Sequence, residues 1–176
     1  MVLMDHETAE TPRMMLHRRP ANLAGFLVCA ALLAYAYFSQ FHSHLEPCPL
    51  CIFQRVGVIA VGVLFLLTWA QHPRAWGAKI YGVLILLAAA AGSVVSIRHI
   101  YVQHLPPEMA PPCGPGIGYL FEKLPFSTFL VKAFTGSADC SIVTWTFLGL
   151  TMPEWVLIWF VILGLGGLYN NFRKSS

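Results

Sequence analysis

The chain has 176 residues, of which 57% are hydrophobic and only 11% are charged. Soluble domains carry about 25% charged residues, so this composition argues against a water-soluble fold. The formal net charge of +3 is small. No basic stripe with interleaved aromatic residues occurs, which argues against a nucleic-acid partner. No nucleotide-binding loop or HExxH motif is present either. The length predicts one compact unit.

The N-terminal segment, residues 1–20, is polar and ends in a basic cluster of Arg13, Arg18 and Arg19. The apolar run that follows it extends over about 20 residues, whereas the apolar core of a signal peptide covers about 7 to 15. We therefore expect a retained membrane anchor rather than a cleaved leader.

Four apolar windows are long enough, or nearly so, to cross a bilayer, which takes about 20 residues of helix. Aromatic residues at several of their ends, among them Trp69 and Trp155, are typical of the membrane interface. The windows predict an all-α membrane protein, a bundle of four transmembrane helices. Their predicted bounds are residues 21–41, 51–70, 80–97 and 153–169.

The basic residues predict how this bundle is oriented. They are concentrated in segment 1–20, in the short loop 71–79 and in the tail 171–176, which an even number of spans places on one side of the membrane. Because loops rich in lysine and arginine face the cytoplasm, we expect cytoplasmic termini and an outer face formed by loops 42–50 and 98–152. In a bacterium, this outer face of the inner membrane borders the periplasm, where disulfides persist.

Every cysteine except Cys29 then lies at or beyond the outer face. Cys48 and Cys51 form a CxxC motif at the start of the second span, with prolines that suit the first turn of a helix. A thiol near a helix N-terminus has a larger thiolate fraction, so the motif predicts a pair that forms and breaks a disulfide. Cys29, in the middle of the first span, is expected to be a small core or lipid-facing residue.

Arg55 follows Cys51 by four residues and therefore shares its helix face. An arginine at the bilayer centre costs about 2.5 to 3.5 kcal/mol, although one turn into the helix it also reaches the interface as an anchor. Its position predicts a further role, the stabilisation of a thiolate or of a reduced, anionic acceptor beside Cys51. Since no haem, flavin or iron–sulfur motif is present, a lipid-soluble quinone is the expected two-electron acceptor.

Cys113 and Cys140 form a second pair in the long outer loop. A structural disulfide there would stabilise the fold by about 3 to 4 kcal/mol. The flanking sequence PPEMAPPCGPGIG instead favours an accessible bond, and accessible disulfides are often the exchangeable ones. On the residues alone, both interpretations stay open. A zinc site of four thiolates is disfavoured because these cysteines are too widely spaced for a compact zinc module, and no metal is expected.

A short amphipathic segment, PFSTFLVKAF, lies in the same loop. Its apolar residues recur at helical spacing, which predicts either a helix in the outer membrane interface or a loop packed on the bundle. They are Phe126, Phe129, Leu130, Ala133 and Phe134, with Lys132 off the stripe.

The chain resembles the DsbB family of bacterial inner-membrane disulfide bond formation proteins. The likeness rests on the four spans, on CPLCIFQR at the head of the second, on two cysteines in the outer loop, and on GSADCSIVTWTFLGLTMPEW at the entry to the fourth. It implies an enzyme, a membrane thiol–disulfide oxidoreductase that re-oxidises the periplasmic dithiol oxidase DsbA. The electrons would pass to membrane quinone, with ubiquinone as the default and menaquinone as the alternative, and disulfide formation in secreted proteins would be sustained.

The resemblance also implies a role for each cysteine of the two pairs. Cys51 would contact the quinone, and Cys48 would relay the disulfide outward. Cys113 would form a mixed disulfide with DsbA, and Cys140 would be the partner that exchanges with Cys48.

At the quinone, the resemblance implies that Arg55 is the binding arginine. His99 is similar to a family histidine near the quinone, and His104 is the alternative because the spacing from His99 to Cys113 is one residue longer than the family pattern.

Two other interpretations of these residues remain. One is a quinone-linked oxidoreductase of the vitamin K epoxide reductase type, in which the CxxC usually falls late in the chain. The other is a non-catalytic membrane protein whose disulfides brace its outer loops. Braces resist mild reductants, whereas a catalytic Cys48–Cys51 pair equilibrates with quinone.

Overall fold

Four long helices form the protein in a computed structural model. It describes residues 7–43, 48–73, 75–106, 109, 125, 128, 131, 135–136, 140–143 and 145–173. In chain order the helices are α1 (Glu7–Ser43), α2 (Pro49–Gln71), α3 (Ala75–Gln103) and α4 (Met152–Phe172). Each is long and apolar enough to cross a membrane. The predicted all-α fold of four transmembrane helices is confirmed.

All four helices extend beyond the predicted apolar windows, and α1 and α3 do so by the most residues. α1 begins at Glu7, within the segment expected to precede the span, and α3 continues to Gln103. The extension of α3 is supported by Arg98, whose guanidinium stacks over the Tyr101 ring at 5.3 Å and donates a hydrogen bond to the carbonyl of Thr135. His99 therefore lies on a helix rather than in a loop.

The predicted helix entry at the CxxC motif is present. Cys48 is the N-cap of α2 with an extended backbone, and Pro49 occupies the first turn, where its missing N–H removes no helical hydrogen bond. Because α2 begins at this point, the thiol groups of Cys48 and Cys51 are held at the end of a membrane helix.

A short hairpin precedes α4 and was not predicted. Strands β1 (Thr146–Phe147) and β2 (Leu150–Thr151) pair antiparallel, and the turn residues Leu148 and Gly149 both have positive φ angles, as a type I′ hairpin turn requires. The indole N–H of Trp155 donates to the carbonyl of Phe147 at 3.0 Å. The hairpin is thereby joined to the first turn of α4.

The core of the bundle is formed where aromatic rings pack against glycines. The Phe160 ring of α4 lies against Gly57 of α2 and Gly92 of α3, and the Phe65 ring of α2 lies against Gly25 of α1. Small residues at helix contacts let the backbones approach closely, which is how membrane helices associate without a hydrophobic driving force.

At the end of the bundle away from Cys48, polar groups join α1 to α4. The amide of Asn171 donates to Oδ1 of Asn22 at 3.3 Å, and both residues are buried. The amide of Asn170 donates to the carbonyl of Arg18, whose guanidinium in turn bonds the carbonyl of Arg173. We call this the tail end, and the end that carries Cys48 the cysteine end.

Candidate redox site

Cys48 and Cys51 lie side by side at the start of α2. Their sulfur atoms are 2.9 Å apart, and the backbone N–H of Cys51 donates to the Cys48 sulfur at 3.3 Å. Both are free thiols, and a disulfide would need the sulfurs at about 2.05 Å. The two sulfurs are therefore placed for a disulfide, which forms when an oxidant takes two electrons and both thiol protons are lost.

Cys140 comes from the distant outer loop and joins the same cluster. It is 1% exposed and packs with Cys48, Leu50, Val95 and Val102 in a buried patch at the cysteine end. Its side chain hydrogen-bonds with Cys48. This bond, the bond to Cys51 and burial together raise the pKa of the Cys48 thiol above its ordinary value. Three of the four predicted redox cysteines thus meet.

Of the other two cysteines, Cys113 lies outside the described residues, as do the apolar stripe and the lysine by which the interfacial helix was predicted. Cys29 is buried in a separate core patch with Val58 and Phe65, and its Cβ faces Gly62 on α2. It is a core residue of the α1–α2 contact.

Arg55 reaches across from α2 to α1. Its Nη1 donates to Oε1 of Gln40 at 2.5 Å, its Nη2 donates to the carbonyl of Ala36 at 3.2 Å, and its guanidinium lies 4.9 Å from the centre of the Tyr37 ring. The charge is therefore held inside the bundle by polar groups of α1. This environment differs from that of a side chain extended to the lipid headgroups.

His99 and His104 have opposite environments. His99 is 3% exposed, and its Nε2 lies 3.8 Å from the Cys48 sulfur. His104 is exposed at the end of α3, where Nδ1 lies 2.8 Å from the carbonyl of Ile100. Of the two histidines, the structure brings His99 to the cysteines.

Cys48, Cys51, Arg55 and His99 line one cavity of about 560 Å³ at the cysteine end. Its volume is in the range of small-molecule sites, which are about 300 to 1,000 Å³ and mainly apolar with a few polar groups. Its polar lining comprises Gln40, Cys48, Cys51, Gln54, Arg55, His99 and Gln103, among others. Its apolar lining comprises Leu32, Leu33, Tyr35, Phe38, Val58, Ile142, Trp145, Met152, Pro153, Trp155, Val156 and Trp159.

Comparison with known proteins identifies the family. The family model described as disulfide bond formation protein DsbB matches residues 18–169. The chain belongs to the DsbB family. Proteins named disulfide bond formation protein B are similar to it along nearly all of their length. The one from Methylococcus capsulatus is 50% identical over 84% of this chain and 89% of its own, the one from Xanthomonas axonopodis pv. citri is 49% identical over 90% and 94%, and the one from Nitrosococcus oceani is 41% identical over 86% and 90%.

Membership of the DsbB family supports a disulfide oxidoreductase role, and four membrane helices make the protein a multi-pass membrane protein. The predicted resemblance to the DsbB family is confirmed. Redox-active cysteines and the use of quinone are general features of that family.

Three glutamines that line the cavity were not predicted from the sequence. Gln54 is buried on α2, and its amide donates to the hydroxyl of Ser96 on α3 at 3.0 Å. Gln40 holds Arg55, and Oε1 of Gln103 has no hydrogen-bond partner among the described residues. A polar side chain inside a membrane span is a signal of function, and this rule would have singled out Gln40 and Gln54.

Proposed function

We propose that this DsbB-family protein oxidises a periplasmic dithiol protein of the DsbA type and passes the two electrons to membrane quinone, with ubiquinone as the expected species. The observation that carries the proposal is the placement of the Cys48–Cys51 pair. The pair lines a largely apolar cavity at the cysteine end of the bundle, and Arg55 and His99 line the same cavity. A soluble dithiol and a lipid-soluble acceptor require such a boundary position.

The cavity residues fit a quinone headgroup. Aromatic and aliphatic side chains form most of the wall, which suits a planar apolar ring. The guanidinium of Arg55 carries hydrogen-bond donors suited to a carbonyl oxygen, and the amide of Gln103, whose Oε1 has no partner among the described residues, offers two more when its amide orientation is reversed. When bound, the quinone takes up two electrons and two protons.

The cysteines divide the transfer into exchange steps, each an attack by a thiolate on a disulfide sulfur. A DsbA thiolate attacks Cys113 of the Cys113–Cys140 disulfide, and Cys140 leaves as a thiolate. Cys140 then attacks Cys48, and Cys51 leaves as a thiolate facing the cavity. The contact between the side chains of Cys48 and Cys140 supports this second step.

The remaining steps return both pairs to their starting bonds. The second DsbA thiolate attacks the mixed disulfide, which releases Cys113 and completes the DsbA disulfide. Cys113 then attacks Cys140 and frees Cys48. The reduced Cys48–Cys51 pair holds the two electrons that came from DsbA, and its re-oxidation by the acceptor completes the cycle.

The acceptor is a thermodynamic requirement of this cycle. DsbA is a strong oxidant at about −120 mV, and for two electrons each 30 mV of uphill transfer costs about 1.4 kcal/mol. Re-oxidation of DsbA therefore runs forward only when the electrons are drawn off to an acceptor of higher potential.

The orientation proposed for the bundle places the cysteine end at the periplasm and both termini in the cytoplasm. It is supported by the lysines and arginines of segment 1–20, loop 71–79 and tail 171–176. Labelling of intact cells with a membrane-impermeant thiol reagent tests it. Leu148→Cys places a thiol in the exposed hairpin turn before α4. Modification of this thiol in intact cells is expected, and modification only after the cells are broken would contradict the orientation.

Turnover by purified variants tests the function. The full-length protein in detergent is expected to oxidise reduced DsbA with ubiquinone as acceptor, and Cys48→Ser and Cys51→Ser are each expected to abolish this turnover. Cys29→Ser is the matched control, because Cys29 is buried in the separate α1–α2 patch. Undiminished turnover in both CxxC variants would show that the pair does not carry the electrons.

A further inference from the structure

A second kind of chemistry is available to the same side chains when the cysteines are reduced. We propose that Cys48, Cys51 and His99 together bind one thiophilic divalent cation of the Zn²⁺ type. One potential ligand atom from each of the three residues lies within 4.8 Å of the other two. Two of these residues are buried and one is half-buried, so the ligands are brought together by the packing of α2 against α3.

The spacing of the ligand atoms is close to that of a tetrahedral site. With Zn–S bonds of about 2.3 Å and Zn–N bonds of about 2.0 to 2.1 Å, a tetrahedron places its S and N ligands about 3.5 Å apart and two S ligands about 3.8 Å apart. The Cys48 sulfur and His99 Nε2 are 3.8 Å apart. The Cys48 and Cys51 sulfurs, at 2.9 Å, reach the required separation by moving apart about 0.9 Å.

Two features of the site stabilise the thiolates of Cys48 and Cys51 once the cation has displaced their protons. The backbone N–H of Cys51 already donates to the Cys48 sulfur, and the N-terminus of α2 stabilises negative charge. The three protein ligands leave the fourth tetrahedral position to water, as in other zinc sites with three protein ligands.

Chain spacing alone argues against such a site, because its donors are spread from position 48 to position 99. The fold removes that objection, since α2 and α3 pack together at the cysteine end. The set also differs from the four thiolates considered from the sequence, because His99 takes the place of the loop cysteines Cys113 and Cys140.

Binding would exchange protons and move no electrons. The cation displaces the protons of Cys48 and Cys51 to water, while His99 coordinates as the neutral imidazole through Nε2. Thiolates held by the cation cannot form the Cys48–Cys51 disulfide, and the disulfide offers no thiolate to the cation. Occupancy is therefore specific to the reduced protein, and it does not depend on the quinone chemistry proposed above.

Cobalt provides a direct test, because thiolate-bound tetrahedral Co²⁺ has visible absorption bands. Anaerobic, fully reduced full-length protein in detergent is titrated with Co²⁺ and then with Zn²⁺. We expect one Co²⁺ per reduced chain, displacement by Zn²⁺, and no bands from protein whose disulfides have been formed. Loss of an outer-shell partner of a metal site weakens metal binding by about 10- to 100-fold. Because Cys51 and His99 are direct ligands in this proposal, Cys51→Ser and His99→Ala should each weaken Co²⁺ binding by more than that.

Matched controls separate this site from other donors. His104→Ala removes an exposed histidine close to His99 in sequence, Cys29→Ser removes a buried thiol outside the site, and Cys113→Ser removes a loop thiol outside the proposed ligand set. All three should keep one Co²⁺ per chain. Zn²⁺ should also protect Cys48 and Cys51 of the wild-type protein from alkylation, counted by mass spectrometry, which tests the site without any variant.

Three results would overturn the proposal. The first is a reduced chain that binds no Co²⁺. The second is binding that survives both Cys51→Ser and His99→Ala. The third is alkylation of Cys48 and Cys51 at the same rate with and without Zn²⁺.

Discussion

The two ends of the bundle differ in how α1 faces α4. At the tail end, buried Asn22 and Asn171 bond to each other, and Asn170 bonds to the main chain of α1. At the cysteine end, the same two helices both line the cavity, α1 with Tyr35 and Phe38 and α4 with Trp155 and Trp159.

Residues that hold the helices together and residues that line the cavity thus lie in different parts of the bundle. Toward the middle of the bundle, glycines bring the helices into close contact around Phe160 and Phe65, which holds the four helices in one arrangement. Toward the cysteine end, the space left between the helices contains the charged and polar groups. Substitutions in the two regions should therefore affect different measurements.

The largest expected effect is on acceptor binding at the cysteine end. Arg55→Ala removes a charged donor, and hydrogen bonds to charged groups are worth about 1.5 to 3 kcal/mol. A loss of about 1.4 kcal/mol weakens binding by a factor of ten. We therefore expect the KM for ubiquinone to rise about 10- to 100-fold while kcat changes much less. Steady-state kinetics at saturating DsbA measures both.

Arg98→Ala is the matched control for this change. It removes an arginine of α3 that stacks on Tyr101 and is absent from the cavity wall. Its KM for ubiquinone should stay at the wild-type value. A wild-type KM in Arg55→Ala itself would remove Arg55 from the acceptor site.

The next effect is on stability, in the closely packed region. A Cβ atom at position 92 would overlap the Phe160 ring, and overpacking of this kind costs about 1 to 3 kcal/mol. Gly92→Ala should therefore lower the thermal unfolding midpoint in detergent and leave the KM for ubiquinone unchanged.

Gly166→Ala serves as the control, because a Cβ there meets nothing within 4 Å. Alanine in a helix interior is favoured over glycine by about 0.5 to 1 kcal/mol, so this variant should be no less stable than the wild type. The combination Gly92→Ala with Phe160→Leu should recover part of the loss. Equal midpoints for Gly92→Ala and Gly166→Ala would contradict the packing described around Phe160.

The smallest effect concerns pH and the three clustered thiols. Hydrogen bonds to Cys140 and Cys51, with burial, raise the pKa of Cys48, so at any given pH less of it is thiolate than in an ordinary cysteine. Below the pKa the thiolate fraction, and with it the alkylation rate, rises about tenfold per pH unit. In chelator-treated, reduced protein, the Cys48 rate should keep rising above pH 8.5, where an unperturbed thiol begins to level off.

Cys140→Ser sharpens this measurement, because the bond to Cys140 is the largest cause of the shift. The levelling-off of the Cys48 rate should move to lower pH in that variant. A profile that levels off near pH 8.5 in both proteins would show that the cluster does not hold the proton on Cys48.

Features that depend on one segment of the chain could be predicted from the sequence. Apolar windows predicted four membrane helices, since membrane length sets a simple minimum for each. The placement of Cys51 and Arg55 on one wall follows from i, i+4 geometry within a single helix. The same reasoning ended α3 at Ile97, because an apolar window cannot show that Arg98 finds partners at Tyr101 and Thr135.

Contacts between distant segments were not readable in this way. The proximity of His99 to Cys48, and the bond between Gln54 and Ser96, depend on how α3 packs against α2. Cys140 joins the site from a loop whose path no periodicity describes. The hairpin before α4 has strands of two residues each, which is too short for an alternating pattern to appear.

A single-turnover experiment tests most directly whether the Cys48–Cys51 pair passes its electrons to quinone. Fully reduced Cys113→Ser protein, which retains the CxxC pair but cannot form the loop disulfide, is mixed with ubiquinone under anaerobic conditions, and the ultraviolet absorbance of the quinone is followed. The account predicts that one quinone is reduced per chain and that none is reduced when Cys51→Ser is added to this variant. Equal quinone reduction by the two proteins, or none by either, would contradict it.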